Sequence, residues 1–109
     1  MSAEFAGTLR ERISVERPVS ERTAAGLRQI QWEPFLRCRA AIQPEGTGPE
    51  SEAMALSAMS RFRVTIRRRA DLMIDHRLRW RGRTLAVRQI VDDPRLPEQL
   101  VLRCEEVRP

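Results

Sequence analysis

Few residues in this chain are of a type and spacing that could carry out chemistry. The one histidine, His76, sits in Ile74-Asp75-His76-Arg77 beside an expected turn. A metal pair needs a second ligand, and a nucleophile needs a base at matching spacing; neither accompanies His76, so it is expected to be a solvated turn residue. Asp71 and Asp75, and Asp92 and Asp93, are carboxylate neighbours in segments with turn chemistry, where Asp is favoured for its backbone hydrogen bonds. Gly46 and Gly48 lack the Lys and the following helix that make a phosphate-cradling loop. Cys38 and Cys104 form no CxxC and fall on apolar strand phases, so two buried reduced thiols are expected rather than a disulfide or metal pair. Trp32 and Trp80 lie on inward phases, which favours core packing over base stacking. No enzyme is expected, and no metal or cofactor.

The elements that would hold these residues are organised around Arg61–Val91. Arg61-Phe62-Arg63-Val64-Thr65-Ile66-Arg67 alternates strictly, with three apolar side chains on one face. Arg77-Leu78-Arg79-Trp80-Arg81 repeats the pattern, and Gly82 leads into Arg83-Thr84-Leu85-Ala86-Val87. Period-2 patterning of this kind is that of half-buried strands. Parity fixes the turn between the last two. With Arg81-Gly82 as a two-residue loop, Trp80 pairs with Arg83 and Leu78, Trp80, Leu85 and Val87 share one face. The apolar phase shifts at Ile90-Val91, which places a bulge near Arg88-Gln89.

On either side the chain reads as further strands. Residues 1–8 carry no pattern and are expected to be a flexible arm, with a single domain over 9–109. Arg12–Arg17 alternates and should stop at Pro18; Arg28–Trp32 alternates back and should break at Pro34. Leu36, Cys38, Ala40 and Ile42 then share one face, with Arg37 and Arg39 on the other, up to Pro44. Asp92–Pro97 is a turn, and Gln99–Glu105 a last strand with Leu100, Leu102 and Cys104 inward. About seven antiparallel strands with one long loop predict an all-β fold, a small SH3-like barrel.

The long loop, residues 43–60, changes composition abruptly. Its first ten residues are Gln43, Pro44, Glu45, Gly46, Thr47, Gly48, Pro49, Glu50, Ser51 and Glu52, where two prolines and two glycines fall within six positions. Glu50–Met59 is rich in Ala and Met and is a candidate short helix. The loop's only charges are Glu45, Glu50 and Glu52, in a chain that carries 20 basic residues, every one of them Arg. A loop this long in a small domain is usually functional or disordered. The net charge of +5 invites a nucleic-acid partner, yet Arg without Lys points more to coding bias than to a phosphate-binding face. No apolar run approaches a membrane span and the N-terminus has no signal-peptide pattern, so an unsecreted, cytoplasmic protein is expected.

The chain resembles the head–tail joining proteins of long-tailed phages, also called head-closure, adaptor or stopper proteins, which occur in prophages and gene transfer agents as well. Gly7-Thr8-Leu9-Arg10-Glu11-Arg12-Ile13-Ser14-Val15-Glu16-Arg17-Pro18 is similar to that family's opening G-x-L-R-x-R-I-x-I-x-R-P. Its R-x-R-x-D-[IL] motif is matched by Arg67–Leu72, its R-[IVL]-x-[WY]-x-G-R by Arg77–Arg83, and its closing L-V-L-x-C-x-E by Leu100–Glu105. The resemblance implies a virion protein at the head–tail neck, assembled in the bacterial cytoplasm. It would form a ring, a dodecamer following portal symmetry, between the portal or adaptor protein and the tail terminator or tail tube proteins. The long loop would face the central channel, where its carboxylates repel the DNA that passes. Arg61, Arg63, Arg67, Arg68, Arg69, Arg79 and Arg81 are then candidate contacts to neighbouring subunits or neck proteins.

Two other functions stay open at this point. A nucleic-acid-binding SH3-like or OB-like module would need a contiguous Arg face with exposed aromatics. Another neck or tail ring protein, such as a tail terminator, would share the small-barrel style.

Overall fold

A computed structural model of the chain describes residues 3–45 and 61–108. It contains α1 (Ala3–Thr8), β1 (Glu11–Arg22), β2 (Arg28–Pro44), β3 (Arg61–Arg67), β4 (Arg77–Trp80), β5 (Arg83–Val91) and β6 (Gln99–Glu106). The strands pair antiparallel and close into a barrel in the order β1-β2-β3-β6-β5-β4. Inside it lie Phe62, Val64 and Ile66 of β3, Leu78 of β4, Leu85 and Val87 of β5, and Leu100, Leu102 and Cys104 of β6. Each is an inward member of the period-2 pattern, so burial follows directly from the alternation.

The β4–β5 hairpin has the expected register, with Trp80 opposite Arg83 and Leu78 opposite Leu85. Arg81 and Gly82 both take positive φ, 48° and 77°. Positive φ at both central positions is the turn whose twist matches two-residue hairpins, and it is reached here despite an unfavourable Arg. The expected bulge lies between Val87 and Gln89. Asp93 closes the Asp92–Pro97 turn, its side chain accepting from the Arg95 N–H at 2.9 Å and its carbonyl from the Leu96 N–H at 2.9 Å.

Among the described residues there are six strands rather than about seven, because neither Pro18 nor Pro34 ends pairing. Pro18 sits opposite Trp32 inside β1, and Pro34 opposite Glu16 inside β2, with Phe35 bulged out beside it. The physical reason is that both prolines occupy free edges. β4 pairs with β1 only over Ser14–Glu16, and β3 pairs with β2 only from Ala41 onward. A missing N–H removes no ladder bond where no second neighbour exists. Beyond this point β1 and β2 continue as a two-stranded ribbon carrying exposed Leu27 and Ile30.

Three more expectations change. Residues 1–8, read as an arm without pattern, contain helix α1, where the Thr8 hydroxyl donates to the Phe5 carbonyl at 2.7 Å and buried Leu9 follows. Trp32 is not in the core. It lies half-buried on the ribbon, with the Arg77 guanidinium 4.3 Å from its ring centre and Arg77 in turn bonded to Glu16 at 2.7 Å. His76 is in its turn but is buried, not solvated. The Met73 N–H donates to its Nδ1 at 3.2 Å and its ring packs on Phe35 of β2 at 4.9 Å, a contact from a distant part of the chain that covers it.

Candidate assembly interface

The long loop starts later than its composition suggested. Gln43 and Pro44 belong to β2, opposite Arg63 and Phe62. The Glu45 N–H donates to the Arg61 carbonyl at 2.9 Å, and the Glu45 carboxylate accepts from Arg103 at 3.2 Å. These contacts hold the two ends of the insertion together on the barrel rim. Gly46, Thr47, Gly48, Pro49, Glu50, Ser51 and Glu52, and with them the candidate helix Glu50–Met59, lie outside the described residues.

The seven arginines singled out from sequence do not form one patch. Arg68 pairs with Asp92, Arg69 with Asp71 at 2.8 Å, and Arg81 with Glu11 at 2.9 Å, while Arg79 donates to the Thr84 hydroxyl. The guanidinium hydrogen bonds hold the Asp71 and Asp92 carboxyls below the usual carboxylate range. Exposed pairs of this kind are screened by solvent, so their main effect is to cancel surface charge. Arg79 and Arg81 also lie across the barrel from β3. What remains is Arg61, Arg63 and Arg67, exposed on the outer face of β3 and in no ion pair with any described residue.

Sequence reasoning left out Arg12, Arg37 and Arg39 as contact residues. Arg12 of β1 stands directly opposite Arg39 of β2, and Arg37 opposite Ser14, all outward and outside any ion pair with described residues. Like charges directly opposite across a ladder are unfavourable. The alternation of Arg37 and Arg39 with inward residues was a visible signal, but only the pairing of β1 with β2 adds Arg12 to it. Beside this face Cys38 is half-buried, and its thiol is pushed up by burial against the opposing pull of Arg69.

Cys104 gives a test of the barrel interior. Burial, reinforced by the Glu45 carboxylate, raises its pKa from 9.0 to about 12. A raised thiol pKa means the fold favours the neutral form. Its contribution is therefore complete below pH 9.0 and is lost as the pH climbs toward about 12. The chain has no Tyr and its basic residues are all Arg, so no side chain other than cysteine titrates in that window. Urea midpoints between pH 8 and 11 should fall in the wild type, and Cys104→Ala should flatten the slope. Parallel slopes would place the alkaline loss elsewhere.

Among the described residues no three His, Cys, Asp or Glu side chains converge on a common point, and no helix is long and apolar enough to cross a membrane. No curated protein sequence matches the chain. The solution structure of protein SF1141 from Shigella flexneri 2a superposes with a TM-score of 0.70 at 24% identity, over 92% of this chain and 94% of that one. A chain from the virion of a native gene transfer agent particle superposes with a TM-score of 0.63 at 14% identity, over 91% and 96% respectively. Both likenesses concern the fold. The family profile described as phage head completion protein matches residues 6–107, a span that begins within α1 and takes in all six strands of the barrel. A match over nearly the whole chain leaves no element to be assigned elsewhere: this chain belongs to the phage head completion protein family and is a structural protein of a phage-type particle.

Proposed function

We propose that the protein forms a twelve-copy ring in the head–tail connector, joining the portal or adaptor protein to the tail terminator or tail tube proteins, and that the ring closes or gates the DNA channel. The observation that carries this reading is the family match over residues 6–107. Two features of the molecule support it. The insertion after Glu45 contains Glu50 and Glu52 and no basic residue, so a channel lined by it repels phosphate and lets duplex pass. Arg61, Arg63 and Arg67 on β3 are exposed and in no ion pair among the described residues, which suits contacts to a neighbouring subunit or neck protein. A ring of this kind repeats one heterologous contact until it closes. Assembly takes place in the bacterial cytoplasm, and the finished protein resides in the particle neck.

The large apolar residues are mostly spent on the barrel interior, which leaves Arg- and Glu-rich surfaces for contacts. Polar interfaces are marginal alone and gain when a template aligns them. The purified protein should therefore sediment as a monomer at low micromolar concentration and form its ring only on portal-bearing heads. A tight, salt-resistant dodecamer in free solution would overturn templated assembly. Particles made without the protein should fill with DNA yet fail to gain tails. Tailed, DNA-full particles in its absence would sink the connector role itself.

A further inference from the structure

The seam between β2 and β3 is laddered over only a short stretch of the closed barrel. The two strands pair only over Ala41–Pro44 and Phe62–Thr65. Below that point β2 has β1 on one side and no strand on the other, and β3 has β6 on one side and no strand on the other, among the described residues. Continuing the register would set Arg39 level with Arg67, but no ladder joins them. In place of a ladder there is a cleft of about 670 Å³, lined by Ala6 and Leu9 near the N-terminus, Cys38 and Arg39 of β2, and Ile66 to Arg69 at the end of β3. The seam also explains why Cys38, on the inward phase, is only half-buried while its neighbour on the same phase, Ala40, is fully buried.

Three properties of this cleft converge on one kind of occupant. Its edges carry main-chain N–H and C=O groups that a further strand would pair, the geometry by which extended peptides add to sheets. Its two faces differ, with apolar side chains inward and guanidinium groups outward, as an alternating segment requires. Its charge is unbalanced: Arg68 and Arg69 are held by Asp92 and Asp71, but Arg39 and Arg67 have no carboxylate among the described residues, and Arg12 faces Arg39 across the ladder. We infer that the β2–β3 seam is a docking slot for an extended segment of a partner protein in which acidic residues alternate with small apolar ones. The carboxylates meet Arg39 and Arg67, and an apolar side chain covers the half-buried Cys38. A nucleic-acid strand fits the guanidinium groups but leaves the main-chain edges without partners. The slot lies on the barrel wall and its occupation does not depend on ring closure.

The probe is a labelled synthetic peptide of about nine residues alternating Glu and Val, titrated against the full chain by fluorescence anisotropy. Saturable binding is expected, with no binding by the Lys/Val counterpart. Both arginines are exposed, so Arg39→Ser and Arg67→Ser should each weaken binding about two- to fivefold, and the double variant more. Arg28→Ser on the exposed ribbon should leave it unchanged. Both slot arginines are exposed, and unchanged melting of the variants checks that the barrel remains folded. Methylation of alternate peptide nitrogens should abolish binding, which charge attraction alone would survive. The inference is overturned if the Glu/Val peptide does not bind, if the arginine variants bind it normally, if methylation has no effect, or if a short DNA duplex binds more tightly with the same arginine dependence.

Discussion

Trp80→Ala should destabilise the protein by about 3–5 kcal/mol, the usual range for removing a large aromatic from a core. Trp80 is only half-buried, yet three separate contacts depend on it. Its ring meets Phe62 edge-on, with centroids 5.4 Å apart and planes at 70°. Its indole N–H donates to Glu11 at 2.8 Å, tying β4 to the start of β1 across the closing seam of the barrel. The Arg81 and Arg83 guanidinium groups lie 5.7 and 5.6 Å from its ring centre. Truncation opens a cavity beside Phe62, itself only 2% exposed, and leaves the Glu11 carboxylate with Arg81 alone. Domains of this size hold about 5–15 kcal/mol in total, and each kcal/mol shifts the melting temperature by roughly 4–8 °C. The variant should thus melt well over 10 °C lower or fail to fold. Trp32→Ala is the internal comparison: that ring lies on the ribbon outside the core, so its loss should cost about 1 kcal/mol, the cation–π contact with Arg77. Equal melting of Trp80→Ala and wild type would mean that the hairpin does not close the barrel.

The contrast between the two tryptophans marks what sequence could and could not reveal. Both sit on apolar phases of alternating strands, and alternation reports a face without saying what covers it. For Trp80 the two-residue turn fixed register, and register fixed the face. For Trp32 the barrel simply ends before its strand does. The prolines misled for a related reason. A missing N–H interrupts a ladder only where there is a neighbour to bond, and the edges at Pro18 and Pro34 have none. His76 is buried by Phe35, far away in the chain, which no local pattern encodes. Resemblance identified the family because ordered motifs survive along the chain when strand lengths are misjudged. The β2–β3 cleft was invisible because it opens where two neighbouring strands stop pairing.

Replacing Gly46–Ser60 with a short Gly/Ser linker should leave the barrel folded and make particles lose DNA. Both ends of the segment are already fixed, since the Glu45 N–H donates to the Arg61 carbonyl at 2.9 Å and its carboxylate holds Arg103. A few residues are enough to join ends so close, and halving a loop changes its closure term by only about 0.6 kcal/mol. Glu45 is kept in the variant because its loss would disturb Arg103 and the setting of Cys104. The melting temperature should stay within a few degrees of wild type. Heads carrying the variant should still fill, because packaging precedes closure, and then lose DNA before or during tail attachment. Glu50→Arg with Glu52→Arg should act in the opposite direction. Each guanidinium added to the channel lining attracts phosphate and releases counterions, so DNA exit should slow, and more so at low salt than at high. The two readouts are DNA retention in purified particles and a thermal melt of the isolated protein. Normal retention with the linker would remove the segment from the channel. A collapsed barrel would instead make it part of the scaffold, and either result ends the gating proposal.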